Sequence, residues 1–243
     1  MTVHEWSELT REQLGALLPE ALVVLAVGAT EQHGPHLPTG TDALVVDAVV
    51  RGAAATADAG RDVLLAPTLA FGASDHHFPF GGTLSLRVET MTEVLVDLAR
   101  SVAVSGGRRL LIVNGHGGNR GACQSAAQRA ATAHELVVAH TDYWELLLAD
   151  APPGPDDPPV PGHAGAFESS LIAHLRPELV RALPDRPAPA PGPSLGVSVQ
   201  EQASWTRIDG FTDRPADADA EAGRRWFDAC VAALAVRIER LTS

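Results

Sequence analysis

The chain has 243 residues, 45% of them hydrophobic, and its formal net charge at pH 7 is -12. This is enough apolar material for one sizeable core, so we expect a single domain over residues 1–243. An acidic balance argues against non-specific binding to nucleic acid or to an anionic membrane surface, and we expect neither as a partner.

Cysteine usage and the apolar pattern bear on location. Cys123 and Cys230 lie far apart with no paired spacing, which fits a reducing cytoplasm better than a disulfide scaffold. No apolar stretch reaches the length of a membrane span, and the first residues lack the basic and apolar regions of a signal peptide. We therefore expect a cytoplasmic protein.

The first chemically informative segment follows a predicted helix (8–18) and a predicted buried strand (21–27). Glu31 and His33 lie two residues apart, so an extended backbone points both side chains to one side. Asp42 follows a Gly- and Pro-rich turn that can return it to the same point. Carboxylate oxygen with imidazole nitrogen suits divalent metals, and catalytic residues favour the carboxyl end of a strand.

Two residues of this segment have a structural alternative. Asp42 precedes the next predicted helix (43–59), and Asp is a leading N-cap residue, so Asp42 is as well interpreted as a cap as a ligand. His36 lies next to Pro35, and we interpret it as a residue that closes the turn.

The loop 71–82, after a predicted strand at 63–66, holds a weaker cluster: Asp75, His76 and His77. Adjacent side chains on a strand face opposite ways, so at most one of the two histidines is expected to point inward. A solvated loop is the favoured interpretation, because loops generally run over the surface.

A stronger motif follows a predicted helix (90–105) and an apolar predicted strand (109–113). His116 lies among glycines in the segment 114–119. The segment lacks the Lys and Ser/Thr of a P-loop and the glycine spacing of a dinucleotide site. A His between glycines at the end of a buried strand fits a metal ligand, and the alternative is a His that only makes a hydrogen bond within the loop.

The third motif follows a predicted helix (120–133), a strand (136–139), a further element (143–148) and a Pro-rich run (151–161) interpreted as a loop or lid. His163 precedes a helix that carries Glu168. We expect Glu168 to be a metal ligand or an acid/base group, and His163 to carry a proton. A carboxylate in a first helical turn is also favourable on its own.

The remaining pattern completes the fold prediction. A second Pro-rich stretch (184–193) separates this body from a final amphipathic helix at 218–241. Repeated strand–helix units indicate an α/β fold with a mostly parallel sheet and helices on both faces.

Together these motifs resemble the creatininase (creatinine amidohydrolase) family in order and spacing; they are residues 29–38, Asp42, 71–74, 81–85, 114–119 and 163–170. The resemblance implies two divalent metal ions per chain (zinc, manganese or iron), hydrolysis of a non-peptide C–N bond in a small-molecule amide, and a homo-oligomer such as a hexamer. It also implies four metal ligands, with Asp42 as the bridge: Glu31, His33, Asp42 and His116.

The chain departs from creatininase itself at two places. Gly117 and Gly118 replace a Tyr and a Glu, and that Glu is a metal ligand in creatininase, so Glu168 is the expected substitute. Creatininase closes over creatinine with two Trp residues; Trp144 matches one, whereas Pro159 occupies the position of the other. We therefore expect a substrate other than creatinine.

Several functions compete on this basis. The leading hypothesis is a metal-dependent hydrolase of an amide, lactam or formamide, acting through a metal-activated water. The Gly-Gly form resembles branches that deformylate formylamino-pyrimidines, and the mycofactocin-associated peptidase that removes a C-terminal dipeptide from a precursor. A catalytically silent metal- or ligand-binding protein is the alternative suggested by the two glycines, and a nucleotide-binding domain rests only on the Gly-rich turn.

Overall fold

The computed structural model describes residues 2–150, 152, 154, 157–188, 201 and 203–243. Its strands form one parallel sheet in the order β1-β3-β2-β4-β5. They are β1 (Val3–Glu5), β2 (Leu22–Val27), β3 (Val63–Leu65), β4 (Arg109–Asn114) and β5 (Val137–Asp142). The predicted single-domain α/β fold with a parallel sheet is confirmed.

Helices cover both faces of the sheet because successive strand residues point to opposite sides. Leu22 and Val24 of β2 pack on one face, and Val23 and Leu25 pack on the other. The helices are α1 (Arg11–Leu17), α2 (Thr41–Thr56), α3 (Val88–Val104), α4 (Arg120–Ala133), α5 (Tyr143–Asp150), α6 (Ala166–Leu175), α7 (Ser204–Arg207) and α8 (Ala220–Thr242). The first face carries α2, α5, α6 and α8, and the second carries α1, α3 and α4.

The neighbouring strands β2 and β4 create a crevice at their carboxyl ends. The helix after β2, α2, packs on one face, whereas the helix after β4, α4, packs on the other. Connections that leave adjacent strands toward opposite faces open a cleft between them, and ligands of open α/β sheets bind there.

Two glycines let the first turn of α2 approach these strand ends closely. A Cβ at Gly28 would lie 2.5 Å from the Cα of Ala43, and a Cβ at Gly115 would lie 2.7 Å from the Cβ of Val46. Real side chains do not tolerate such distances, so any larger residue would push α2 outward. The close approach brings Asp42 to the crevice.

Most predicted elements are observed with shifted ends. The first helix begins three residues later than expected because Thr10 caps it with Gln13 in a capping box. The short edge strand β1 was not predicted, and β5 extends to Asp142, beyond the expected end of its apolar run.

The proline-rich segments are described only in part. Residues 151, 153, 155, 156 and 189–193 of the two predicted Pro-rich stretches lie outside the described residues. The described remainder of both stretches forms neither helix nor strand. In the part of the chain that the structure describes, no helix is long and apolar enough to cross a membrane.

Candidate metal centre

Five parts of the chain bring seven ionisable side chains together at the crevice. Each of them is at most 6% exposed. They are Glu31 and His33 after β2, Asp42 in the first turn of α2, His77 in the loop after β3, His116 after β4, and His163 and Glu168 around the start of α6.

Asp42 lies at the middle of this cluster. Its Oδ1 is 3.2 Å from Nε2 of His33, and its Oδ2 is 3.2 Å from Nδ1 of His116. Glu31 lies beyond His116, with its Oε2 3.2 Å from Nε2 of that imidazole. Glu168 lies beyond His33, with its Oε2 3.6 Å from Nε2 of His33.

Two sets of three ligand atoms share Asp42. Glu31, Asp42 and His116 offer one set, and His33, Asp42 and Glu168 offer the other; within each set the atoms lie within 4.8 Å of one another. All five residues predicted as metal ligands are therefore brought together. Two further sets lie around Glu31, one with His33 and His163 and the other with His76 and His77.

The chemistry of the cluster fits divalent metal. Among the described residues, the buried side-chain atoms without a hydrogen-bond partner include both oxygens of Glu31, Oδ2 of Asp42, and Nε2 of His33 and His77. Several of these atoms lie close to one another, but the angles between the groups do not allow a hydrogen bond. A buried polar atom left unsatisfied costs about 1–3 kcal/mol, more if charged. A cation between the carboxylates would satisfy the oxygens of Glu31 and Asp42 and Nε2 of His33.

Without metal, protons offset the charge of the carboxylates. Burial lowers the pKa of His33, but Asp42, Glu168 and Glu31 outweigh burial and raise the pKa to about 10. Burial also lowers the pKa of His116, but the carboxylates of Glu31 and Asp42 outweigh burial and raise that pKa to about 9. Burial raises the pKa of Glu168 to about 8. A metal ion bound at this site would therefore compete with protons.

His163 has a different electrostatic environment. Burial, together with the neighbouring His33 and His77, lowers its pKa well below the usual value for histidine. Its ring stacks on that of His77, with centroids 4.2 Å apart, and its Nδ1 is 3.4 Å from Oε1 of Glu31. A neutral imidazole at this point can accept a proton.

The favoured interpretation of His77 as part of a solvated loop is wrong. His77 is fully buried, and its Nε2 lies 3.3 Å from Oε1 of Glu31. The residues from Asp75 to Phe80 form a 3-10 helix instead of a strand. Adjacent side chains on such a helix diverge by roughly 120°, so His76 also lines the cavity beside His77.

Two other interpretations change. Asp42 is not the N-cap of α2, because that position is Gly40. His36 does more than close its own turn: it is buried and its Nε2 lies 2.9 Å from the carbonyl oxygen of Ala164. Ala164 has a left-handed backbone (φ 48°) and its N–H donates to Oε2 of Glu168. His36 thus supports the loop that carries the third motif.

A cavity of about 480 Å³ opens directly over the cluster. Its walls include Trp144, as the resemblance implied, and Pro161 at the end of the first Pro-rich stretch. Trp205 forms another part of the wall, with its ring 4.6 Å from that of His77 and 5.0 Å from that of His163. Sequence analysis missed Trp205, because a single aromatic residue on the one-turn helix α7 carries no spacing signal.

The two glycines that follow His116, in the loop after β4, differ in their surroundings. A Cβ at Gly117 would meet nothing within 4 Å, whereas a Cβ at Gly118 would lie 2.2 Å from the carbonyl oxygen of Ala73 and 2.5 Å from Nε2 of His116. A side chain at position 118 is therefore incompatible with this backbone. Glu168 supplies a carboxylate from the opposite side of the cluster.

An α/β domain with buried carboxylates and imidazoles at its strand ends has the architecture of a hydrolase with a candidate metal site. A family model described as creatinine amidohydrolase (creatininase) matches residues 7–238. The chain belongs to the creatininase family.

Relatives within the family have different named activities. The mycofactocin precursor peptide peptidase of Mycobacterium tuberculosis is 36% identical, over 98% of this chain and 92% of its own length. The creatinine amidohydrolase of Pseudomonas putida is 31% identical, over 89% of this chain and 88% of its own length. The chain is thus similar to enzymes with two kinds of substrate.

Solved structures show the same architecture. A structure described as creatininase Mn superposes with a TM-score of 0.81 at 27% identity, covering 98% of both chains. A creatininase variant described as Zn-Zn type gives a TM-score of 0.80 at 28% identity, again over 98% of both chains. The named metals belong to those proteins.

Proposed function

We propose that the protein is a metal-dependent amidohydrolase with two divalent ions per chain, held by Glu31, His33, Asp42, His116 and Glu168. The observation that carries this proposal is the shared position of Asp42 between two buried ligand sets, in which both oxygens of Glu31 and Oδ2 of Asp42 lack hydrogen-bond partners. Zinc, manganese and iron are all compatible with carboxylate and imidazole ligands.

The reaction adds water across an amide bond and releases a carboxylate and an amine. Divalent ions in such a site lower the pKa of water and polarise the carbonyl group. His163 takes a proton from the attacking water at Nδ1 and returns it to the departing nitrogen; its lowered pKa favours the neutral, proton-accepting form before the reaction. Asn114 holds the His116 loop, because its side chain bonds both the backbone N–H and the carbonyl oxygen of His116.

We propose that the amide belongs to a peptide. Four relatives named mycofactocin precursor peptide peptidase are 36–38% identical to the chain, compared with 31% for the creatinine amidohydrolase. Gly117 leaves open space at the cavity wall, and the cavity of about 480 Å³ has room for a substrate larger than a single ring. A small-molecule amide is the second candidate, which the creatinine amidohydrolase relative supports.

A substrate screen tests the proposal. Protein loaded with zinc or manganese is incubated with a panel of short peptides, creatinine and formamides, and products are identified by mass spectrometry. We expect release of a carboxylate and an amine from a peptide, and loss of this activity in His116→Ala and His163→Ala. Hydrolysis of a non-peptide amide alone would favour the second candidate, and metal binding without any turnover would favour a catalytically silent protein.

We also propose that the protein forms a homo-oligomer, as the resemblance to the creatininase family implies. Light scattering coupled to size exclusion measures the mass in solution directly. A hexamer would have six times the chain mass of 25.4 kDa, and a particle with the mass of one chain would contradict the proposal.

A further inference from the structure

Gln32 contacts the imidazoles of both His77 and His163. Its side-chain Oε1 accepts a hydrogen bond from the backbone N–H of Gly34 at 2.9 Å, and its Nε2 lies 2.8 Å from the carbonyl oxygen of Gly210. A backbone N–H only donates and a carbonyl oxygen only accepts. These two contacts fix the orientation of the amide, with its NH2 group toward the imidazoles.

The amide nitrogen has two hydrogens and three neighbours. One hydrogen goes to Gly210, which leaves one for Nδ1 of His77 at 2.8 Å or for Nε2 of His163 at 3.0 Å. Nε2 of His163 has another partner, the backbone carbonyl oxygen of Gln32 at 3.0 Å, to which it must donate. Among the described residues, Nδ1 of His77 contacts no hydrogen-bond partner besides Gln32.

One assignment pairs all of these groups. His163 carries its proton on Nε2 and donates it to the backbone of Gln32. His77 accepts from the Gln32 side chain at Nδ1 and carries its own proton on Nε2. Moving the proton of His77 to Nδ1 would set two donors against each other, and moving that of His163 to Nδ1 would leave the carbonyl oxygen of Gln32 without its donor.

We propose that Gln32 is a positioning residue that gives two stacked histidines opposite roles toward Glu31. His163 faces the centre with the bare Nδ1, an acceptor, and His77 faces it with Nε2–H, a donor. The backbone of Gln32 sets the first role and its side chain sets the second. This inference deepens the proposed function, on which it rests for the presence of a cation.

The opposite roles of His77 and His163 distinguish the two further candidate ligand sets that contain Glu31. The N–H of His77 faces Oε1 of Glu31 at 3.3 Å as an electrostatic contact that holds the carboxylate, and a protonated nitrogen cannot bind metal. The set of Glu31, His76 and His77 is therefore not a metal site. Nδ1 of His163 lies 3.4 Å from the same oxygen, and two acceptors at this distance repel unless a cation or proton lies between them.

Neutron diffraction from crystals of the zinc-loaded, perdeuterated protein tests the assignment directly. We expect deuterium on Nε2 of both His77 and His163 and none on Nδ1 of either. Deuterium on Nδ1 of either residue overturns the proposal. If the crystals hold no zinc, the proposed function fails while the positions of deuterium still decide the inference.

Zinc titration of variants tests the role of the side chain. Gln32→Met removes the donor to His77 and keeps the backbone carbonyl, so we expect zinc affinity to fall by about 10–100-fold. Gln128→Met, the same change on the exposed side of α4, should leave the affinity unchanged. Because Gln32 acts through His77, Gln32→Met combined with His77→Ala should bind zinc no more weakly than His77→Ala alone. Losses that add would overturn the proposal.

Discussion

At the scale of single residues, the identity of residue 118 decides how the loop after β4 packs. The loop places His116 against Ala73, and Gly118 fills the remaining space. Creatininase has a ligand in this position according to the resemblance, whereas under the proposed function Glu168 supplies the carboxylate here. The two glycines therefore indicate that the site is rearranged, and they do not imply that metal binding is lost.

A matched pair of substitutions tests this point. Gly118→Ala would place a Cβ 2.2 Å from the carbonyl oxygen of Ala73, so we expect the loop to shift, His116 to move and the metal content to fall. Gly117→Ala meets nothing within 4 Å and should leave the metal content unchanged. Metal analysis of both purified variants provides the measurement, and equal metal content in the two would contradict the account.

Trp205 offers a second test at this scale. Its ring packs on His77 and His163 at the wall of the cavity but belongs to no ligand set. Trp205→Ala should therefore keep the metal content and raise the KM for the substrate by roughly tenfold, as expected for the loss of one aromatic contact. A loss of metal with unchanged KM would show that Trp205 supports the ligands and not the substrate.

At the scale of elements, the sequence predicts those parts of the fold that have a periodic pattern. The buried strands β2 and β4 are continuous apolar runs, and their carboxyl ends locate Glu31, His33 and His116. Asp42 was ambiguous, because a carboxylate in a first helical turn fits a cap and a ligand equally well. Only the tertiary contact with the strand ends distinguishes the two.

The missed features lack such a pattern. The three-residue β1 is too short to alternate, and the 3-10 helix that holds His77 has a period that neither the strand nor the α-helix template matches. Trp205 reaches the cavity from a distant part of the chain. These contacts depend on how short elements pack against the rest of the fold, which local propensity does not encode.

The close approach of α2 to β2 leads to a prediction about the position of α2. Gly28→Ala would place a Cβ 2.5 Å from the backbone of Ala43, so we expect α2 to move outward and carry Asp42 away from the other ligands. Metal content should fall and the melting temperature should drop. Gly40→Ala, at the N-cap of the same helix, meets nothing within 4 Å and serves as the control. A stable, fully metal-loaded Gly28→Ala would refute this role of the close approach.

At the scale of the whole molecule, the buried cluster couples stability to pH. In the metal-free protein, the pKa values of His33, His116 and Glu168 are about 10, 9 and 8, all above their values in an unfolded chain. Groups of this kind contribute stability that is fully present below the unfolded pKa and is lost as the pH rises through the folded pKa. Between pH 7 and 9 all three effects act in the same direction.

Thermal unfolding measures the consequence. We expect the melting temperature of chelator-treated protein to fall from pH 7 to pH 9. The increase in melting temperature that zinc produces should grow over the same range, because metal then displaces fewer protons. A metal-free protein whose stability rises across this range would contradict the electrostatic description of the site.

The central claim, a two-metal centre with Glu168 as a ligand, is tested most directly by elemental analysis of the purified protein beside Glu168→Ala and His116→Ala. We predict about two divalent ions per wild-type chain, the number in a two-metal hydrolytic site, and fewer in both variants. A single ion or none in the wild type after reloading, or a metal content that neither substitution changes, would contradict the account.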